Sequence, residues 1–457
     1  MKLPAALPLL VASTMFMEQL DGTILVTALP SIASSFGETA ARLDIGVSAY
    51  LVTLVFMIPA SGWVADRLGA KRVYVAAIML FVFASVLCGA SQNVWQFVGA
   101  RVLQGLGGAM MVPVGRLIVL RETEKKDLIR AIAYLTWPAL SAPLLGPPLG
   151  GFITTYFSWH WIFYINVPLG LIALVLVWRI VPAIPPIERG KFDAPGFFLT
   201  GTAILSILGG IELLGRSGTS TIAALALFVF GLGCGVVGVR RELRIDHPMI
   251  SLAAFRTLTF RLAMRGGGFF RGCLATLPFL LPLLFQVGFG LDPVTSGTLV
   301  LGIFVGNLGM KPATTWLIRN ISFRRIMLVN ASIAVATMLG CALLTAQTPH
   351  AAIFALLIIS GMARSMQFTT LSTLAFSDVP KPTMGSANTL FSMQQQAANA
   401  VGVAVAGALL RLTSHANEGG VQSVTDFQIT FVIIAVLAVI AMADFFKVPP
   451  NAGEGLR

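Results

Sequence analysis

The stretch LPLLVASTMFMEQLDGTILVTALP (7–30) is apolar enough to cross a lipid bilayer, yet it carries Glu18 and Asp21 near its middle. As a helix its length is about 36 Å, against a hydrocarbon core of about 30 Å. The two acids are three residues apart and share one helix face. The segment is too long for a cleavable leader, lacks a strongly basic start and holds two carboxylates, so it is read as a retained span.

Similar stretches follow at about 45–66, 72–91, 94–118, 130–154, 160–182, 196–214, 219–240, 262–287, 293–317, 324–346, 349–375, 386–411 and 425–446, making fourteen with the first. Their cores mix Leu, Ile, Ala, Met and Gly without two-residue alternation, which predicts helices and not the strands of a barrel. Of 457 residues, 56% are hydrophobic and 11% charged, less than half the charged share of roughly 25% in soluble domains. A mean hydropathy of +0.86 rules out a soluble globular protein.

The formal charge of +12 would in a soluble chain suggest nucleic acid. Here the basic residues follow the spans. If Lys2 is cytoplasmic and each span reverses the chain, 24 of the 31 Lys and Arg fall on cytoplasmic links, their flanks and the termini. Arg42, Arg216 and Arg411 fall outside, and Arg101, Arg265, Arg271 and Arg364 lie within spans. That asymmetry predicts an even number of spans with both ends in the cytoplasm, and it leaves no nucleic-acid footprint.

Other chemistries find little support. Cys88, Cys234, Cys273 and Cys341 sit singly in different spans, with no paired spacing for metal or redox work. Gly233, Gly235 and Gly238 spell GxGxxG inside an apolar helix with no preceding strand, so they are read as helix packing. No GxxxxGK[ST] is present, and no link is long enough to hold a soluble catalytic domain. His160, His247, His350 and His415 lie on separate links, which argues against a lipid-modifying enzyme. No cofactor or metal is expected.

Charges at mid-membrane cost several kcal/mol unless paired or wet, and so mark function. Arg101, in the oppositely directed fourth span, lies at a depth similar to Glu18 and Asp21, with Gln104 one turn on. An acid and an arginine at matched depth can pair when dry and part when wet, as a proton carrier requires. A static ion pair fixing helix register is the alternative.

Several ordered motifs accompany these residues. LDGTILVTALP (20–30), with Asp21 and Pro30, resembles the first-span signature of the drug:proton antiporters with fourteen spanning helices in the major facilitator superfamily. GWVADRLGAKR (62–72) is similar to the superfamily's link between spans 2 and 3, with Gly62, Asp66, Arg67 and Gly69 in place and Ala70 where a basic residue is usual. RVLQGLGGAM (101–110) resembles the span-4 motif in which an arginine is tied to proton coupling. LLGPPLGG (144–151) resembles the antiporter motif of span 5, with Gly146, Pro147, Gly150 and Gly151 matching and Ala142 where an upstream glycine is expected. SWHWIFYINVPLG (158–170), FDAPGF (192–197) and HPMISLAAFRTLTFR (247–261) are similar to strings of the fourteen-helix branch.

Physical readings stand beside these. Gly62 and Gly69 permit close backbone approach, and Asp66 among Arg67, Lys71 and Arg72 suits charge-assisted bonds at helix ends, hence a cytoplasmic gate. An ordinary positive-inside loop is the plainer reading. Pro147 and Pro148 remove backbone donors and predict a kink, while the glycines beside them allow close helix contact.

The resemblance implies an all-α membrane protein of two six-helix bundles, 1–182 and 245–457, with a two-helix insert at 183–244. It implies inverted repeats and a substrate site near the midplane where the bundles meet. The function it implies is proton-driven export of drug-like compounds or metabolites by a monomer in the cytoplasmic (inner) membrane, with the proton gradient in place of a cofactor. Export of organic anions or metal-chelate metabolites, or import on the same fold, are the other readings. Arg271, Arg364, Gln394 and Phe391 are candidate substrate contacts; arginines facing a cavity favour an anionic ligand, dominance of Glu18 and Asp21 a lipophilic cation.

Overall fold

The computed structural model describes residues 6–38, 40–182, 185–186, 191–214, 220–245, 248, 250–415 and 423–453. His247 and Arg216 lie outside this set, as do the side chains of Arg42, Pro147 and His415.

The chain is helical. In order come α1 (Ala6–Phe36), α2 (Ala40–Met57), α3 (Ser61–Leu68), α4 (Ala70–Gly89), α5 (Val94–Glu122), α6 (Leu128–Tyr156), α7 (Trp161–Tyr164), α8 (Asn166–Ile180), α9 (Ala194–Leu214) and α10 (Thr221–Glu242). Then follow α11 (Leu258–Ala275), α12 (Leu277–Leu283), α13 (Pro293–Gly309), α14 (Lys311–Asn320), α15 (Phe323–Ala342), α16 (His350–Ser377), α17 (Met384–His415) and α18 (Val424–Met442).

Among the described residues eleven helices are long and apolar enough to cross a membrane, and up to thirteen if each of two bent pairs is one span. The count of fourteen is therefore not reached. The remaining expected span coincides with the 29-residue α6, which contains residues whose side chains are not described. Span 10 is not the single straight rod expected: Val294–Gly309 and Lys311–Asn320 meet at 46°. Pro312, at the start of α14, cannot donate the backbone bond that would continue α13.

Local chemistry sets the other boundaries. Gly69 joins α3 to α4 at φ 88°, a conformation that side-chain-bearing residues rarely adopt. Asn93 starts α5 by accepting from the Gln96 backbone N–H at 3.0 Å, and Ser423 with Asp426 forms a reciprocal cap on α18.

Two compact units result. The first comprises 1–205, 234–252 and 380–393. Here α1 packs on α6, and α5 packs on α2 and α4. Its core includes Leu20, Ile24 and Ala28 of α1, Phe97 and Ala100 of α5, and Ala142 of α6. The second comprises 206–233, 253–379 and 394–457, with α16 packed against α11, α13 and α15. Within lipid, such packing depends on close contact and interhelical hydrogen bonds more than on the hydrophobic effect. In α10, Ile222, Val229 and Phe230 are exposed, an apolar outer face suited to hydrocarbon. Gly235 and Gly238 of its GxGxxG string face Ala203 and Leu199 of α9, while Gly233 faces open space, so only part of that string serves packing.

Candidate functional site

The buried charges of the first unit assemble around Asp21, which α1 presents to α5 and α8. Arg101 Nη1 donates to Asp21 Oδ2 at 2.8 Å, with both side chains 1% exposed. Gln104 Nε2 and Asn166 Nδ2 both donate to Asp21 Oδ1, at 2.9 and 2.8 Å. The carboxylate therefore receives donors from two helices besides its own.

A second layer orients these donors. Ser85 Oγ on α4 accepts from Gln104 at 2.9 Å and Asn166 at 3.2 Å, and donates to the Phe81 carbonyl at 2.8 Å. Arg101 also donates to Gln104 Oε1, and its guanidinium carbon lies 4.3 Å from the centre of the Tyr50 ring. A guanidinium held by a carboxylate, a carboxamide and an aromatic face is fixed in position.

Glu18, one turn from Asp21, makes a separate contact: Tyr50 donates to Glu18 Oε1 at 3.1 Å. A Cβ on Gly108 would stand 3.1 Å from both Glu18 Oε1 and the Tyr50 hydroxyl, so glycine leaves room for this pair. Arg116 of α5 attracts Glu18 electrostatically. Counted above with the cytoplasmic flank, Arg116 in fact lies inside α5, half-buried, with Ser392 at 3.4 Å and the Phe391 ring at 5.6 Å.

At the link between spans 2 and 3 the charged groups reach other helices. Asp66 pairs with Arg121 at the end of α5, at 2.6 Å, and its side chain is fully buried. Lys71 instead donates to the Trp178 and Val181 carbonyls, at 3.1 and 2.6 Å, and thereby caps α8. Gly62 faces Thr389 of α17, whose Oγ1 would lie 2.7 Å from an added Cβ. Arg67 and Arg72 lie on α3 and α4 either side of Gly69.

In the span-5 motif, Gly146 faces Thr23 and Gly150 faces Thr27 and the Ile24 carbonyl, whereas Gly151 faces open space. Pro147 has no described side chain. The string continues as helix through α6.

The four candidate substrate contacts do not form one group. Arg271 and Arg364 lie 4.5 and 5.2 Å from the centre of the same ring, Phe368. Gln394 lines a cavity of about 320 Å³ with Gly268, Phe269 and Val401. Phe391 belongs with Arg116 in the first unit.

Sequence reading missed Asn166, Ser85, Tyr50 and Arg121. Asn166 lies within the quoted string SWHWIFYINVPLG, where a carboxamide in an apolar span was the available signal.

Comparison with known proteins now adds lineage. Residues 11–403 match the family model described as Major Facilitator Superfamily. Over 459 aligned residues the chain is 36% identical to proteins named "Putative multidrug resistance protein MdtD" from Salmonella heidelberg and Salmonella typhimurium, covering 98% of this chain and 95% of each relative. The human organic anion transporter MFSD10 (TETRAN) superposes with a TM-score of 0.67 at 15% identity, covering 96% of this chain and 100% of that one. The proton:xylose symporter XylE superposes with a TM-score of 0.66 at 14% identity, covering 98% and 97%. At those identities the two structures speak for the fold alone. The matched length and the helical architecture together mean that the chain belongs to the Major Facilitator Superfamily and is a multi-pass membrane transporter.

Proposed function

We propose that the protein exports small organic molecules across the cytoplasmic membrane in exchange for external protons, with Asp21 as the proton carrier and Arg101, Gln104 and Asn166 as the groups that sense its charge. The observation that carries this reading is the buried Asp21 carboxylate and its three donors. Each N–H in that set needs an acceptor, and the two carboxylate oxygens serve as one for all three. Adding a proton removes the attraction to Arg101 and leaves the new O–H facing donors, so the network must rearrange. Asn166 Oδ1, buried without a hydrogen-bond partner, is an acceptor that a turned carboxamide would offer. A local switch of this kind can bias a two-state transporter.

The multidrug name of the relatives supports efflux as the direction. Both termini are assigned to the cytoplasm from the distribution of Lys and Arg. The protein acts as a monomer and needs no cofactor beyond the proton gradient. Glu18 shares the proton load through Tyr50, the Asp66–Arg121 pair latches the cytoplasmic side, and Gly146 and Gly150 hold α6 against α1.

The test is substrate-dependent proton movement in vesicles containing the purified protein. Asp21→Asn is expected to abolish exchange driven by a proton gradient. If that variant still moves protons in strict exchange with substrate, Asp21 is not the carrier.

A further inference from the structure

The interior of the second unit carries positive charge at mid-depth, and its described acids lie elsewhere. Arg364 is near the middle of α16, roughly 20 Å of helix from either end. Arg271 is similarly placed within the span Leu258–Gly288. Because both face the Phe368 ring, at 4.5 and 5.2 Å, their guanidinium carbons are at most about 10 Å apart, and the ring leaves the N–H donors of Arg364 without acceptors.

The acidic side chains described in this unit occupy helix ends. Asp292 caps α13 by accepting from the Val294 and Thr295 backbone. Asp378 follows the last residue of α16. Asp426 belongs to the cap with Ser423, and Asp444 pairs with Arg265 and Lys447. None stands at the depth of Arg364. This arrangement is the reverse of that in the first unit, where Asp21 meets Arg101.

Unmet donors accompany the charge. Arg364 Nε and Nη1 are buried without a hydrogen-bond partner, and so are both amide atoms of Gln367 one turn along the helix. Gln367 is wholly buried. Asn307 of α13 is buried with both amide atoms unpartnered, and it meets α16 where Ser365 donates to its carbonyl at 2.8 Å. Buried donors are normally satisfied, and a cation at this depth needs water or an anion. A planar guanidinium fork fits an oxyanion through two parallel hydrogen bonds, a geometry that a compact cation cannot use.

We infer that Arg364, with Arg271 beside the same Phe368 ring and Gln367 a turn away, receives the anionic group of the transported molecule, so that the substrate class is an organic oxyanion bearing a carboxylate, sulfonate or phosphate. This deepens the export reading and rests on it for the word transported. Gln367 and Asn307 act as neutral partners for the same group or for its polar neighbours.

The full-length protein in lipid nanodiscs, without any gradient, is titrated with two dyes that share a xanthene scaffold, the dianion fluorescein and the cation rhodamine 123. Benzoate, phenyl phosphate and naphthalene-1-sulfonate serve as competitors. Fluorescein is expected to bind at least tenfold more tightly than rhodamine 123 and to be displaced by the competitors. Arg364→Gln and Arg271→Gln should each weaken fluorescein at least tenfold and leave rhodamine 123 within twofold, while Arg364→Lys should weaken fluorescein less. Three results overturn the proposal: rhodamine 123 binding as tightly as fluorescein, no binding of any anion in the set, or arginine variants that lose both dyes together as their melting temperature falls. Proton exchange in vesicles is scored separately. Anion binding without exchange refutes the coupling reading alone; proton-coupled movement of rhodamine 123 without anion binding refutes the anion reading alone.

Discussion

Asn166 Nδ2 donates to Asp21 Oδ1 at 2.8 Å, joining two helices whose residues are 145 positions apart. The same oxygen accepts from Gln104, and Ser85 accepts from both amides. Orientation of each donor therefore depends on the other, and the three polar side chains respond as a unit to the charge on Asp21.

Asn166→Ala removes one of three donors to the ionised acid. A hydrogen bond to a charged group nets about 1.5–3 kcal/mol, so proton-driven export should fall by about tenfold or more if that stabilisation is lost from the productive state. The measurement is initial-rate efflux in everted vesicles at matched protein levels. Full activity in this variant would mean that Arg101 and Gln104 suffice.

Asp66 and Arg121 should behave as a pair. Breaking a buried ion pair by removing one partner costs about 3–5 kcal/mol, so Asp66→Asn and Arg121→Gln should each lower the melting temperature and the transport rate. The charge-swapped double variant, Asp66→Arg with Arg121→Asp, should recover part of both. If the two single effects simply add, the contact at 2.6 Å contributes nothing specific.

These two sites mark how far the sequence could be read. Asp21, Arg101 and Gln104 were legible because a charge in an apolar stretch has few explanations, and matched depth followed from helical rise alone. Asn166, Ser85 and Tyr50 were not, because a carboxamide or hydroxyl can satisfy itself in many ways and helix rotation decides which neighbours it meets. Asp66 has three bases within six residues, yet a partner 55 residues away holds it at 2.6 Å and the nearby Lys71 goes to the carbonyl end of α8. Sequence proximity ranks partners badly once helix ends from different spans converge. The bend in span 10 was likewise hidden, since hydropathy reports length and not direction.

The crossing of α13 and α16 should be intolerant of a single methyl group. A Cβ on Gly306 would collide with the Ile358 carbonyl, and one on Gly361 with the Ile303 carbonyl. Backbone cannot step aside as a side chain can, so Gly306→Ala and Gly361→Ala should each destabilise by about 1–3 kcal/mol or more. Gly99 has open space at the same position and lies in a helix, where alanine is intrinsically favoured by roughly 0.5–1 kcal/mol. Gly99→Ala should therefore melt at or above the parent temperature in detergent. Equal melting of all three variants would show that the close crossing does not exist in solution.

The glycines of the span-5 motif should separate by face. Ala142, Gly146 and Gly150 recur every four residues and so form one strip of small residues on α6. Thr23 reaches that strip, directing its hydroxyl toward the Ala142 carbonyl at 3.4 Å. A Cβ on Gly146 would stand 2.6 Å from Thr23 Cβ, and one on Gly150 would stand 3.0 Å from the Ile24 carbonyl. Both contacts fall within a turn or two of Asp21, so forcing α6 away from α1 shifts the helix that carries the carboxylate. Gly146→Leu and Gly150→Leu are expected to lower melting temperature and proton-driven export together. Gly151 points into open space, and Gly151→Ala should leave both near the parent values. Replacing Thr23 or Thr27 by Ala should soften the defect of the facing glycine variant by making room for the larger side chain. If Gly151→Ala is instead the most damaging change, the strip against α1 is not what the motif provides.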